Sequence, residues 1–386
     1  MLVYVIPTSY PNPDNPVANS FVLEQVKALS EIDDCKIVVL NVQKQPSKYI
    51  IKKIDSTIHV VKDSYSTILR KKCKTFAEKR FPELNQRLFI NELQKIYDKA
   101  TELYGNPDVI YAHFYRGGYS ALKIKKKKIV PVVVMEHSGE LMNPKLPSNV
   151  CSTLKYTVEN SAKYIATTNN LKNMILHHTG IDSNIEVIPN VIDNAFRYIP
   201  LVHNDCFTFL TIARLEYDKR VDLLISAFCE SFSPTDSVLL RIGGDGTEAS
   251  RLKQLVKNSN RDKQITFLGK LSRENVVMEM GKCNCFVLPS RHETFGIVWR
   301  EALCVGRPVI TTNHGGFSES DWKCEYGCMV PVDNKEALSK ALRFIFAEYK
   351  AYDFQKISEE NRKMYSAYTI GNKLHKILLK AIEESN

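Results

Sequence analysis

Short apolar runs of strand length alternate along the chain with segments whose apolar residues recur at helical spacing. In the first half, the apolar runs predict strands at residues 2–7, 36–41, 58–61, 108–112, 130–135, 163–167 and 185–188. In the second half, they predict strands at residues 207–212, 237–242, 264–268, 285–288, 308–311 and 329–332. Helical patterns lie between the strands, for example at residues 17–29 and 85–103. Such alternation is typical of parallel sheets covered by helices on both faces, so the predicted fold class is α/β.

The two series of strands predict two Rossmann-like domains, because a chain of 386 residues is long for one hydrophobic core and sufficient for two. We place the first domain at residues 1–196, a linker at 197–206 and the second domain at 207–365. The last segment, 366–386, carries one apolar helical stripe. Open α/β sheets bind ligands outside the carboxyl ends of their strands, so we expect a cleft where the two domains face each other.

The composition is that of a globular enzyme, with 44% hydrophobic and 25% charged residues. No apolar run approaches the ~20 residues of a membrane-spanning helix, and the N-terminus resembles a buried strand rather than a signal peptide, so we expect a cytoplasmic protein. The ten cysteines do not form a zinc pattern, because no Cys or His pair completes the spacing of Cys324 and Cys328. We interpret them as reduced structural thiols.

The segment 291–302 has the strongest chemical pattern. It follows the apolar strand at 286–288 and carries Glu293 and Glu301 eight positions apart. The amides of residues 294–296 would begin a helix, and a helix N-terminus suits an anion such as a diphosphate. Glu301 would lie about 8 Å further along the helix at ~1.5 Å per residue, where a ribose attached to the diphosphate could bind. The pattern indicates a sugar-nucleotide site.

This segment and four other motifs resemble the retaining glycosyltransferases of family four, which have the two-Rossmann-domain fold called GT-B. Residues 289–296, 301–303 and 306–310 are similar to the family's signature of two glutamates separated by seven residues. The other motifs are residues 188–193, 213–220, 244–246 and 267–269, in the family's order. The resemblance covers nearly the whole chain. It implies a hexosyltransferase whose final helix, at 366–386, packs back on the first domain.

The resemblance also implies roles for the matched residues of the second domain. The expected donor-binding residues are Arg214, Lys219, Gly244, Gly269, Lys270, Glu293, Phe295, Gly296, Ile297 and Glu301. Glu293 would contact the transferred sugar and Glu301 the ribose. The sequence has no Asp-x-Asp motif, so we expect no metal and no cofactor, and Arg214, Lys219 and the helix N-terminus would stabilise the leaving diphosphate. The resemblance further implies retention of configuration by same-face attack, with the leaving phosphate taking the acceptor's proton. UDP-linked donors are the family's commonest choice.

The first domain has fewer matched residues. His137 resembles the family's histidine near the sugar and acceptor, and we place it with Glu293, Arg214 and Lys219 among the catalytic residues. Residues 10–22 resemble the family's first loop, but Asn19 and Ser20 stand where relatives usually have glycine. We assign Asn19, Ser20 and His137 to the acceptor side. In the second domain, Arg220 replaces another frequent glycine.

The basic residues predict an anionic partner. Residues 1–195 hold 26 Lys and Arg against 19 Asp and Glu, whereas the rest holds 27 against 24. Apolar residues at 65, 68, 69, 73 and 76 fall on one helical stripe beside the cluster at 70–80, which is typical of a helix lying on an anionic membrane, or of a core helix with a solvated basic face. The residues expected at the membrane are Arg70, Lys71, Lys72, Lys74, Lys125 and Lys126. A lipid-linked acceptor in surface-polysaccharide synthesis, used at the inner face of a membrane, would explain them; a glycan is the other acceptor considered.

Three other functions compete with that of a glycosyltransferase. Residues 244–249 fit the dinucleotide pattern G-x-G-x-x-A, but the next strand ends in Gly269-Lys270 and lacks the acidic residue that would bind an NAD ribose. Basic patches also bind nucleic acid, yet we find no helix-turn-helix, zinc finger or stacking-aromatic motif, so we expect no nucleic-acid partner. A phosphorylase of the same fold stays open, and it would depend on inorganic phosphate.

Overall fold

A computed structural model describes residues 1–15, 18–46, 57–77, 80–201, 205–313 and 322–385. The chain forms two compact units. The first contains Met1–Val191 and Ala367–Asn386, and the second contains Ile192–Ser366. Both are α/β and Rossmann-like, as the alternation of strands and helices predicted.

The first unit is built on an eight-stranded sheet, counted over the described residues, in the order β3-β4-β2-β1-β5-β6-β7-β8. All pairs are parallel except β3 with β4. The strands are β1 Leu2–Ile6, β2 Lys36–Pro46, β3 His59–Lys62, β4 Thr67–Thr75, β5 Val109–His113, β6 Val132–Glu136, β7 Lys163–Ala166 and β8 Ile185–Val187. The helices are α1 Ser20–Ser30, α2 Pro82–Tyr104, α3 Phe114–Lys123, α4 Ser148–Asn160, α5 Asn169–Thr179 and, at the end of the chain, α12 Ala367–Glu383.

The second unit has a parallel sheet in the order β11-β10-β9-β12-β13-β14, again within the described ranges. Its strands are β9 Phe207–Ile212, β10 Val238–Gly243, β11 Ile265–Gly269, β12 Cys285–Leu288, β13 Val309–Thr312 and β14 Gly327–Val330. Its helices are α6 Val221–Ser231, α7 Ala249–Asn258, α8 Arg273–Lys282, α9 Ile297–Val305, α10 Lys335–Glu348 and α11 Phe354–Tyr365.

Each sheet has a hydrophobic core on both faces, since alternate strand residues point to opposite sides. Helix α12 belongs to the first unit, where Ile370, Leu374 and Leu378 pack in the same core as Val3 and Val26. The boundary between the units differs from the sequence-based one. Residues 192–201, assigned to the first domain and the linker, lie in the second unit because their apolar side chains pack in its core.

The helical stripe predicted around the basic cluster is wrong. Residues 67–75 form β4, which pairs with β2 over nine positions. Leu69, Lys71 and Cys73 are buried at a period of two, and Lys71 is 4% exposed with its ammonium group 3.4 Å from the Glu92 carboxylate. Arg70 donates to the carbonyl oxygen of Pro11 over 2.8 Å. Lys71 and Arg70 are therefore engaged within the unit, and Lys79 lies outside the described residues.

The second basic cluster follows α3. Lys125 is exposed in the turn after that helix, whereas Lys126 is half-buried and burial lowers its pKa. Helix α1 begins at Ser20, and Val17, the predicted start, lies outside the described residues. In the part of the chain that the structure describes, every helix is too short or too polar to cross a membrane.

Candidate active site

The strand order of the second sheet reverses next to β9. This strand lies between β10 and β12, so the chain leaves the carboxyl ends of β9 and β12 toward opposite sides of the sheet. Open α/β sheets bind ligands at such a switch point. Arg214 and Lys219 follow β9, and Glu293 follows β12. The topology places these three residues at the ligand-binding edge of the unit.

The loop after β10 approaches the loop after β9 backbone to backbone. Gly244 has φ 121°, and a Cβ added there would lie 1.8 Å from the carbonyl oxygen of Ala213. The Gly244 amide also donates to the carbonyl of Gly269 over 2.7 Å. Only glycine allows this approach, which fixes the loop that carries the exposed Arg214. Lys270 is exposed directly after Gly269.

Lys219 and Glu293 form an ion pair at the same edge. The Lys219 Nζ lies 2.9 Å from Glu293 Oε1 and 3.0 Å from Asp218 Oδ2. The Ser290 hydroxyl donates to Glu293 Oε1 over 3.1 Å. Burial lowers the pKa of Lys219, but the charges and hydrogen bonds of Glu293 and Asp218 raise it, and the net pKa is above its ordinary value. Lys219 is therefore a positioned cation at neutral pH.

Helix α9 starts at Ile297, slightly later than the sequence predicted. Its N-cap, Gly296, has φ 66°, and a Cβ there would lie 1.9 Å from Trp299 Nε1. The side chain of Phe295 is buried in the core of the unit. The first amides of a helix lack intrahelical acceptors and lie at the positive end of its dipole. The N-terminal end of α9, which the sequence predicted as an anion site, thus begins at Gly296 and Ile297.

Glu301 is buried inside α9, with 1% of its surface exposed, and it is held by an arginine that the sequence analysis missed. Nη1 of Arg273 lies 2.6 Å from Glu301 Oε1, its Nε lies 3.5 Å from Asp193 Oδ2, and its guanidinium stacks over the ring of Phe196. A buried carboxylate requires a cation or several donors. The apolar residues around Glu301 in the sequence indicated that its carboxylate would be buried and would need such a partner. The sequence does not identify Arg273 on α8 as that partner.

A network of ion pairs, which the sequence did not predict, connects three loops at this edge. Arg220 has φ 51°, which accounts for the glycine common at this position. It pairs with Asp222 at 3.1 Å and with Asp333, which follows β14. Arg291 donates to Asp333 over 2.8 Å and stacks on the ring of Tyr217 at 4.4 Å. These pairs connect the loops after β9, β12 and β14.

In the first unit, His137 follows β6 and is buried among aromatic rings. Its Nε2 lies 3.2 Å from Nδ1 of His113, and its ring centroid lies 4.5 Å from that of Phe21. Burial lowers the pKa of both imidazoles, to about 3 for His113. His137 is therefore neutral at neutral pH. It can donate or accept a hydrogen bond, but it does not supply a positive charge.

The turn that carries His137 is fixed by a buried carboxylate, Glu136. Its oxygens accept from the amides of His137 and Ser138, each over 2.9 Å. The Tyr115 amide and the Tyr164 hydroxyl each donate to it over 2.8 Å. Burial nevertheless raises the pKa of Glu136. The sequence analysis did not assign this role to Glu136, and the signal that could have identified it is a glutamate at the end of an apolar strand.

Asn19 and Ser20 begin α1. Asn19 has φ 45° as the N-cap, and its side-chain amide donates to the carbonyl of Ser9 over 3.4 Å. Asparagine is one of the few non-glycine residues that adopt this conformation readily. Asn19 therefore adopts a left-handed conformation that glycine would also allow, and it adds a side chain at this position.

Comparison with known proteins supports the glycosyltransferase class to which the sequence motifs pointed. The model named glycosyl transferases group 1 matches residues 195–364, and glycosyltransferase family 4 matches residues 57–196. An uncharacterised glycosyltransferase of Methanocaldococcus jannaschii is 29% identical over 264 residues, which are 67% of this chain and 70% of that protein. Sucrose-phosphate synthase from Thermosynechococcus elongatus has a TM-score of 0.78 at 18% identity, covering 99% of both chains. HepE of Anabaena, solved with UDP, has a TM-score of 0.72 at 16% identity, covering 98% of this chain and all of that one.

The two Rossmann-like units and these matches define a glycosyltransferase with the GT-B fold. The chain belongs to the family-four glycosyltransferases and is a hexosyltransferase. The resemblance stated from the sequence is confirmed in family and fold.

Proposed function

We propose that the enzyme transfers a hexose from a UDP-linked donor to a glycan or lipid-linked acceptor, with retention of anomeric configuration and without a divalent metal. The observation that carries this proposal is the meeting of Lys219, Glu293 and the N-terminus of α9 at the switch point of the second sheet. Structural neighbours solved with UDP and with UDP-glucose support the choice of nucleotide.

The leaving diphosphate would bind to the cations at this edge. Arg214 offers a planar fork of donors and Lys219 a point charge, and the amides at Gly296 and Ile297 lie at the positive end of the α9 dipole, which suits an anion. Such preorganised donors stabilise charge that develops as the sugar leaves. The leaving phosphate would take the acceptor's proton during same-face attack, so this proposal needs no protein nucleophile.

Glu293 would bind the hydroxyls of the transferred hexose, and because Glu293 is ion-paired with Lys219, that sugar would lie next to the diphosphate. Glu301 would bind the ribose, held in position by Arg273. Gly244, Gly269 and Lys270 would lie beside the nucleotide. His137, as a neutral hydrogen-bonding group, would contact the sugar or the acceptor, with Asn19 and Ser20 on the acceptor side.

The acceptor proposal rests on charge. The excess of basic residues lies in the first half of the chain, and Lys72 and Lys125 are exposed there. These charges favour a phosphate-bearing acceptor, such as a lipid-linked sugar used in surface-polysaccharide or glycolipid synthesis at the inner face of an anionic membrane. Because Lys71 is buried in β4, the basic cluster exposes fewer positive charges to a membrane than the predicted helix would have exposed.

The donor is tested by incubating the enzyme with UDP-glucose, UDP-galactose, UDP-N-acetylglucosamine and GDP-mannose and measuring nucleotide release, with and without EDTA. We expect release from a UDP-sugar that is unchanged by EDTA, and an α-linked product by NMR from an α-linked donor. Release only from GDP-mannose would overturn the nucleotide choice. Loss with EDTA that magnesium restores would overturn metal independence, and dependence on inorganic phosphate would indicate a phosphorylase.

A further inference from the structure

The second unit contains a mainly apolar cavity of about 320 Å³ beside the start of β14, which we call the aromatic cavity. Its lining includes the buried side chains of Tyr326 and Ile357 and the half-buried Tyr352. Phe344, on α10, also lines the cavity and has 52% of its surface exposed. One water takes up ~30 Å³, so the cavity has room for a large aliphatic side chain.

The charged residues that line the aromatic cavity are mostly acidic. They are Glu325, Glu348, Asp353, Glu360 and Lys356. Lys356 pairs with Glu325 at 3.2 Å, and Lys323, outside the lining, pairs with Glu360 at 2.5 Å. The carboxylates of Glu348 and Asp353, both exposed, leave negative charge in excess. The aromatic cavity therefore suits an apolar side chain that is flanked by positive charges.

The same chain exposes such a side chain on its first unit. Ile129 is 91% exposed, more than any other large apolar side chain in the part of the chain that the structure describes. It lies in the loop between α3 and β6, directly after the exposed Lys127 and Lys128. An isoleucine beside two lysines is complementary in polarity and in charge to the aromatic cavity.

The loop that carries Ile129 is anchored on both sides. Ile124 and Val130 are buried in the core of the first unit. The side chain of Gln94, on α2, accepts from the amide of Lys125 over 2.7 Å and donates to its carbonyl over 3.1 Å. An anchored loop loses less conformational entropy on binding than a free one. Ile129 is therefore presented in a defined position for an intermolecular contact.

Both features lie away from the residues of the proposed donor site. Ile129 precedes β6 and Tyr326 precedes β14, so each lies at the amino end of a strand. Lys219 and Glu293 follow the carboxyl ends of β9 and β12. A contact between Ile129 and the aromatic cavity therefore does not use the residues assigned to the donor.

We propose that the aromatic cavity of one copy of the enzyme receives Ile129 of a second copy, with Lys127 and Lys128 facing Glu348 and the other carboxylates of the cavity. A second copy is the occupant because this chain supplies both the acidic cavity and the basic, apolar loop that matches it. So few side chains bury less than the ~1,200 Å² of stable interfaces, so the self-association is weak and transient, in the micromolar to millimolar range. This inference goes beyond the proposed function, because it involves neither donor nor acceptor.

Sedimentation equilibrium of the full chain, from micromolar to millimolar concentration, tests the apolar part of the contact. The wild type should self-associate, and Ile129→Asp should weaken the association at least tenfold, because burying a side chain of this size contributes about that factor or more. Tyr368→Asp is the matched control, since it changes the charge equally at an 81% exposed side chain on α12, and it should associate as the wild type does. Urea unfolding checks that each variant is folded.

Charge reversal tests which surfaces meet. Lys127→Glu with Lys128→Glu should weaken self-association, and so should Glu325→Lys with Glu348→Lys. These two double variants change the net charge of +10 in opposite directions, so a general effect of net charge would weaken one and strengthen the other. An equimolar mixture of the two double variants should associate again, because the reversed loop of one meets the reversed cavity of the other.

Three results would overturn the inference. They are a wild type that stays monomeric up to millimolar concentration, an association that persists in Ile129→Asp, and a mixture of the two double variants that associates no better than either alone.

Discussion

Replacing Arg273 by glutamine should weaken UDP binding while leaving turnover at saturating donor unchanged. Arg273 contacts Glu301 at 2.6 Å, and Glu301 is 1% exposed, so the variant removes the cation next to a buried carboxylate. Glu301 would then lose its fixed orientation or its charge. The proposed ribose contact is formed equally in the ground state and the transition state, so its loss raises KM and does not lower kcat.

The magnitude follows from the value of a hydrogen bond to a charged group, about 1.5–3 kcal/mol. The side chain of Arg273 is 30% exposed, so water screens part of its interaction with Glu301, and the lower end of that range is appropriate. We expect the Kd for UDP to rise about tenfold. Because Arg273 also reaches Asp193 and stacks on Phe196, urea unfolding of the variant must be measured beside binding.

Isothermal titration calorimetry with UDP and with 2′,3′-dideoxy-UDP separates positioning from general destabilisation. The wild type should prefer UDP, and Arg273→Gln should lose most of that preference. Arg273→Lys should restore part of it, because the charge is retained. Lys282→Gln, at an exposed position on the same helix, is the matched control. A folded Arg273→Gln variant with wild-type affinity and wild-type preference for UDP would refute the reasoning.

Three further predictions concern other parts of the enzyme. Arg214→Ala and Lys219→Ala should each lower turnover about a hundredfold in steady-state assays, on the scale of losing one preorganised donor, and near-normal rates would remove them from the charge-stabilising role. His113 is neutral when folded and titrates near 6.5 when unfolded, so the native state binds fewer protons. For this histidine the free energy of unfolding should fall by about 1.4 kcal/mol per pH unit as pH drops below 6.5 toward its folded pKa of about 3. Burial also lowers the pKa of His137, which should add a fall in the same direction. Urea titrations should show a shallower fall for His113→Phe than for the half-exposed control His375→Gln, and equal slopes would contradict the assignment. Vesicles with anionic lipid should retain the enzyme more than neutral vesicles, and Lys72→Glu with Lys125→Glu should reduce the retention; equal retention would leave these charges as a solvated surface.

The local structure of the candidate site after β12 was largely predictable from sequence, because its residues lie close together in the chain. The strand at 285–288, the two glutamates and the glycine at the N-cap of α9 lie within one short segment, and the structure places them as a strand, loop and helix. The partners of these residues were not predictable. Arg273 pairs with Glu301 across 28 positions and Asp333 pairs with Arg291 across 42 positions, and no periodic pattern specifies such contacts.

The basic cluster shows a second limit. The apolar residues from 65 to 76 fit a helical stripe, but Leu69, Lys71 and Cys73 also fit the period of a strand. Pairing of β4 with β2, a segment about thirty residues earlier in the chain, decides between the two. A buried lysine obscured the alternation, because Lys71 occupies an inward position that its charge would ordinarily exclude and Glu92 compensates for it.

The boundary between the units was misplaced for a similar reason. Ile192 and Phe196 have the apolar character of a core segment, and sequence does not say which core accepts them. In the structure they pack with Trp299 and Leu303 in the second unit. For α12, the apolar stripe did not show which domain the helix packs on, and the resemblance to the family predicted the first domain.

The central claim is that the edge of the second unit formed by the loops after β9 and β12 binds a nucleotide sugar. The most direct measurement is the free energy of unfolding of the wild type and of Glu301→Ala as UDP-glucose is added. The wild type should gain about 2.7 kcal/mol at a ligand concentration one hundred times its Kd. Glu301→Ala should gain about half of that or less at the same concentration, because losing a contact worth about 1.5–3 kcal/mol weakens binding at least tenfold. An unchanged wild type, or an equal gain in a folded Glu301→Ala variant, would contradict the account.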